Sequence, residues 1–121
     1  MSTPKNQNLA ARQLLTVILA DPGATHFKVL PDPILYPDYY AFISRPIALA
    51  DINTSINSGP YSLPDMTRDL RRMFANAKKY NKPEAQVYQD ALALEVRIYL
   101  YYIYVYLSMY VLLIVLLFIH S

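Results

Sequence analysis

The sequence predicts an all-α fold: a bundle of four helices with one long loop between the first and the second. Two observations predict it. Apolar residues recur at helical spacing in four separate stretches. Five of the nine prolines (Pro22, Pro31, Pro33, Pro37 and Pro46) crowd into residues 21–48, which rules out a long helix there. At 121 residues the chain is one domain with room for a core.

The first helix is expected at about 4–20. Thr3-Pro4 suits its start, Ala10, Leu14, Val17 and Ile18 its stripe, with Leu15 and Leu19 widening it. Asp21-Pro22-Gly23 ends it. The loop that follows is long enough to suggest a functional role. It has room for one short helix, about 37–43, entered through Tyr36-Pro37. Phe27, Val29, Leu30, Ile34 and Leu35 are too apolar for a free loop and are expected to pack on the helices. Leu49, Ile52 and Ile56 predict a helix over 48–58, closed by a left-handed Gly59 before Pro60. Ser62 caps the next helix, and Pro64 sits in its first turn. Its inner stripe is Met66, Leu70, Met73, Phe74, Ala77 and Tyr80, and its outer face carries Arg68, Arg71, Arg72, Lys78 and Lys79. It ends at Asn81, just before Pro83. The last helix starts near Glu84, with Val87, Ala91, Leu94 and Ile98 on one face.

Most catalytic chemistry finds no support here. A net charge of +2 is too small to argue for nucleic acid. The chain has no cysteine, hence no disulfide and no thiolate metal site, and its two histidines, His26 and His120, lie far apart. No Ser stands beside a visible base, and two glycines make no phosphate loop. Asp32 and Asp38 read as turn acids rather than a catalytic pair. Met1 to Asn8 is polar, so no signal peptide is expected. Binding suits the residues better. Asn81 offers an amide donor at a helix end among aromatic and aliphatic groups, which fits a neutral amide carbonyl on an aliphatic stem. Asn81 as a plain helix cap fits the same spacing.

Phe27-Lys28-Val29-Leu30-Pro31, Tyr36-Pro37-Asp38-Tyr39-Tyr40, Pro46-Ile47 and Gly59-Pro60-Tyr61 fall in an order that resembles a bromodomain of the polybromo or RSC remodeller type. Met66, Asp69, Met73-Phe74, Asn76-Ala77, Tyr80-Asn81 and Asp90-Ala91 continue the register. The resemblance covers about two-thirds of the chain. It implies a left-handed four-helix bundle over residues 5–97 that reads acetyl-lysine on histone tails without being an enzyme. It further implies a nuclear protein, chromatin-remodelling subunits as partners, and neither cofactor nor metal. The site residues it implies are Asn81 for the acetyl carbonyl, Tyr39 through a water, Val87 as gatekeeper, Leu30 as wall, Phe27 as floor, and Tyr80 and Ala77 on the helix face. The sequence departs from the family where Thr25-His26 precedes Phe27 in place of a tryptophan and a proline. Ala48 and Ala85 stand where the family often has Asp and Ser helix caps.

Residues 98–121 fit this pattern poorly. Every Asp, Glu, Lys and Arg lies in residues 1–97, and six of the twelve tyrosines lie between Ile98 and Ile119. Three readings stand. Twenty-two uncharged residues can span a bilayer as an anchor, giving a membrane protein with a degenerate helical domain. The last bundle helix can be distorted at its end. Or the stretch is translated intron, since its residue types are those of AT-rich DNA and Glu95-Val96-Arg97 can be encoded across a splice donor. A structural interaction module without ligand binding is a further alternative to the reader.

Overall fold

The computed structural model describes residues 8–121, and every regular element among them is helical. The helices are α1 (Leu9–Leu19), α2 (Pro37–Phe42), α3 (Leu49–Ser58), α4 (Leu63–Tyr80) and α5 (Gln86–Ile119), with a 3-10 turn at Pro22–Phe27. The four helices α1, α3, α4 and α5 enclose the core, and the loop carrying the 3-10 turn and α2 closes one end. Thr3-Pro4 lies outside the described residues.

The inward stripe of α1 is Ala11, Leu14, Leu15 and Ile18; Ala10, Val17 and Leu19 are exposed, against expectation. Asn8, 1% exposed, explains the rotation. Its side-chain amide donates to the Ile56 carbonyl at 2.6 Å and to the Gly59 carbonyl, while its Oδ1 accepts from the Tyr61 N–H at 2.8 Å. Asn8 shares a helical face with Ala11, Leu15 and Ile18, so anchoring it turns that face inward.

The same contact corrects the end of α3. Gly59 is extended, with φ 162° and ψ −164°, not left-handed. The carbonyls at this end are held by Asn8 instead of by a glycine turn. At the start of α3, Asp51 Oδ2 accepts from the Ala48 N–H at 2.8 Å, but Ala48 has no side-chain acceptor to return. Ser62 caps α4 as expected: its Oγ accepts from the Asp65 N–H at 3.2 Å and Asp65 Oδ2 accepts from the Ser62 N–H at 3.0 Å. The α4 stripe is buried as expected except for Tyr80, which is half-buried. On its outer face Arg72 and Lys78 are also half-buried, and Lys78 Nζ lies 2.7 Å from Glu95 Oε1. Asp69 is buried as well and accepts from the Tyr61 hydroxyl at 2.7 Å.

The loop packs on the helices only in part. Phe27 is buried and Leu30 half-buried, but Val29, Ile34 and Leu35 are exposed, Ile34 by 88%. The turn at 32–36 is tied by its own bonds, Ile34 N–H to Asp32 Oδ1 and Tyr36 N–H to the Asp32 carbonyl, both 2.8 Å, which leaves its apolar side chains outward.

α5 begins two residues later than Glu84, after a turn closed by the Ala85 N–H to the Lys82 carbonyl at 2.9 Å. Its 34 residues reach about 51 Å. Ala91, Leu94 and Ile98 are buried, and Tyr101 and Tyr102 pack against the core. Tyr102 and Thr67 share a hydroxyl hydrogen bond of 2.7 Å. Arg97 holds Asp21 in a two-point pair at 2.5 and 2.9 Å, joining α5 to the start of the loop. From Tyr106 to Ile119 every residue is exposed, and by length and composition this helix is long and apolar enough to cross a membrane.

Candidate functional site

A cavity of about 380 Å³ opens among the loop, α2, the end of α4 and the start of α5. All seven residues singled out from the sequence (Phe27, Leu30, Tyr39, Ala77, Tyr80, Asn81 and Val87) line it. Their placement follows from local structure. The 3-10 turn sets Phe27 edge-on against Phe74, with ring centres 5.5 Å apart. The Tyr40 hydroxyl donates to the Pro31 carbonyl at 2.5 Å, holding the loop beside α2. Further ties come from the Asn76 amide to the Arg45 carbonyl, 2.9 Å, and the Ala50 N–H to the Lys28 carbonyl, 3.0 Å. The loop is therefore a built wall of the cavity.

Tyr39 is buried, and its ring meets Tyr80 edge-on at 4.9 Å. Burial pushes its phenol above the usual range, with Tyr40 adding to the effect, so the hydroxyl stays neutral and able to donate. Tyr80 is fixed from outside: its hydroxyl donates to Asp38 Oδ1 at 2.9 Å, and that bond raises its phenol too. Asn81 is the C-cap of α4 and is half-buried. Its side-chain amide and its backbone N–H both donate to the Ala77 carbonyl, at 2.9 and 3.0 Å. One of the two side-chain N–H groups is used this way, which fixes the amide plane and leaves the second N–H for a ligand. Helix capping and ligand binding are thus compatible in the same residue.

The lining contains no Asp, Glu, Lys or Arg. It is largely apolar surface with three phenols, Tyr36, Tyr39 and Tyr80, the Thr25 hydroxyl, the Asn81 amide and a rim histidine, His26, whose Nε2 lies 3.4 Å from Asp90 Oδ2. Such a cavity accepts a neutral group with one hydrogen-bond acceptor and excludes an unpaired ion, which would be desolvated without compensation. Among the described residues, no three His, Cys, Asp or Glu side chains come together as a metal set. Met73, Ile47, Tyr36 and Pro31 also line the cavity and were not singled out. Met73 stands one turn before Ala77 on the same face of α4, a spacing that signals shared lining. A second, largely apolar cavity of about 330 Å³ lies between α4 and α5 and involves none of the seven.

The family model for the bromodomain matches residues 11–93. The chain is 38% identical over 90 residues to the transcription regulatory protein SNF2 of Saccharomyces cerevisiae, covering 74% of this chain and 5% of that one. It is 41% identical over 66 residues to the chromatin structure-remodeling complex subunit rsc1 of Schizosaccharomyces pombe, covering 54% and 8%. To the histone acetyltransferase GCN5 of Oryza sativa subsp. japonica it is 38% identical over 86 residues, covering 69% and 17%. The solved bromodomain of human BAZ1A superimposes with a TM-score of 0.72 at 28% identity, covering 75% of this chain and 89% of that one. The chain belongs to the bromodomain family, and its fold is the left-handed four-helix bundle that the resemblance implied. It matches only a small fraction of the length of those curated relatives.

Proposed function

We propose that this bundle is a reader of acetyl-lysine on histone tails, acting within a nuclear chromatin-remodelling or transcription-regulating assembly and catalysing no reaction itself. The observation that carries this reading is the ion-free cavity with the oriented Asn81 amide at its edge. Acetylation converts a lysine ammonium into a neutral amide whose carbonyl suits the free N–H of Asn81. The aliphatic stem suits the walls formed by Leu30, Val87 and Phe27, with Tyr80 and Ala77 on the helix face. In this reading Tyr39, neutral and buried, donates to the same carbonyl through a water. The names of the relatives, which include a nuclear protein and subunits of remodelling complexes, support the setting.

The test is a paired titration of the full chain, kept in a mild nonionic detergent, with one histone-tail peptide in acetylated and unacetylated form. The acetylated peptide is expected to bind well and its twin at least tenfold more weakly, with residual binding that fades as salt rises. Equal affinity of the two at physiological salt would instead make this an electrostatic surface.

A further inference from the structure

The outer edge of the cavity differs from its interior. Asp38 is exposed, and its Oδ1 accepts from the Tyr80 hydroxyl at 2.9 Å. No cationic side chain among the described residues lies within ion-pair distance of it. Around it stand aromatic rings with open surface: Tyr36 is 50% exposed and Phe42 54%, and Tyr80 meets Phe42 edge-on at 6.4 Å. The patch already holds one cation, since Lys79 Nζ sits 5.4 Å from the centre of the Phe42 ring. Lys79 takes the Phe42 side and leaves the carboxylate itself unpaired. Tyr36 and Tyr80 also line the cavity, so this acid-and-aromatic edge is continuous with it.

We propose that this edge is a second subsite, which takes a lysine or arginine side chain of the same peptide whose acetyl-lysine enters the cavity. The inference rests on the reader function proposed above and adds the class of peptide preferred: an acetyl-lysine with a cation close by in sequence. The chemistry of the two compartments is complementary. The interior has no charge and selects the neutral residue. The edge offers a carboxylate with one oxygen free and aromatic faces that attract cations. A peptide with a single acetyl-lysine in a neutral setting fills only half of this surface.

The edge is tested with the full chain in mild detergent and a set of fluorescent acetyl-lysine peptides. One is otherwise neutral; the others carry a single lysine one, two or three residues to either side. At one or more positions the lysine is expected to tighten binding about fivefold, the order expected for an exposed charge pair with an aromatic contribution. Asp38→Asn keeps an acceptor for the Tyr80 hydroxyl but removes the charge. It is expected to bring the ratio of lysine-peptide to neutral-peptide affinity back to about one, whatever the neutral peptide's own affinity for that variant. Lys79→Ala, which frees the Phe42 face and removes a competing cation, is expected to enlarge that gain. If the neutral peptide binds but no lysine position tightens it, or if the gain survives in Asp38→Asn, the subsite is overturned while the reader function stands. Failure of every acetylated peptide to bind overturns both.

Discussion

At the scale of single residues, the buried Asn8 ties the start of α1 to the end of α3 and the segment after it. It donates two hydrogen bonds to, and accepts one from, backbone that lies 48 to 53 positions away in sequence. Asn8→Ala leaves the Tyr61 N–H and the Ile56 and Gly59 carbonyls without this partner in a buried site. The expected loss is about 2–3 kcal/mol, measured by urea denaturation, because unsatisfied buried groups each cost about 1–3 kcal/mol. A loss below about 0.5 kcal/mol would mean that water replaces the amide without penalty. Nothing in the sequence marks Asn8, since one polar residue before a helix has no periodic signature and its partners are remote. The rotation of α1 is hidden in the sequence for the same reason. Leu14-Leu15 and Val17-Ile18 offer two adjacent faces of nearly equal hydrophobicity, and the distant amide decides between them. The cavity residues were legible for the opposite reason. Tyr39, Tyr80 and Asn81 belong to short motifs whose order along the chain is itself the signal, and the structure gathers them at one cavity.

At the scale of elements, the Asp21–Arg97 pair links the start of the loop to α5. The Arg97 guanidinium is the main cause holding the Asp21 carboxyl below its usual range, and the Gly23 N–H adds to it. A carboxyl whose folded pKa is depressed contributes stability that is fully present above its unfolded pKa, about 3.9, and is lost as pH falls through the folded value. Asp21→Asn should therefore lower stability at pH 7 and flatten the acid limb of the stability profile below about pH 4, in thermal melts taken across pH. An unchanged acid limb would show that the pair carries no linkage. The long loop illustrates the limit of composition as a guide. Five apolar residues implied a packed loop, but the turn at Asp32 closes on its own backbone and turns Ile34 and Leu35 outward. Turn chemistry prevailed over apolar content there. The helices were legible because capping boxes, prolines and the 3.6-residue period agree with one another, as at Ser62 and α4.

At the scale of the whole molecule, the bundle and the far end of α5 are physically different objects. Packing contacts run through Tyr102, a turn beyond the boundary drawn at Arg97, because Ile98, Tyr101 and Tyr102 still face the core. From Tyr106 onward the helix is apolar and exposed on every side, which no soluble surface helix sustains. The full chain is expected to aggregate without detergent. Replacing residues 106–121 with an amphipathic helical end should give a soluble monomer by size-exclusion chromatography with light scattering. A full chain that is monomeric without detergent, with its last helix protected from hydrogen exchange, would show that the whole of α5 belongs to the fold. The central claim, that the ion-free cavity at the end of this bundle reads acetyl-lysine through Asn81, is met most directly by one measurement. Acetylated histone-tail peptide is titrated calorimetrically into the wild-type chain and into Asn81→Ala, with circular dichroism checking that both are folded. The expected result is loss of binding by about 1–3 kcal/mol or more with the helical signal unchanged, because the ligand carbonyl loses its donor. Undiminished affinity in a folded Asn81→Ala protein would contradict the account.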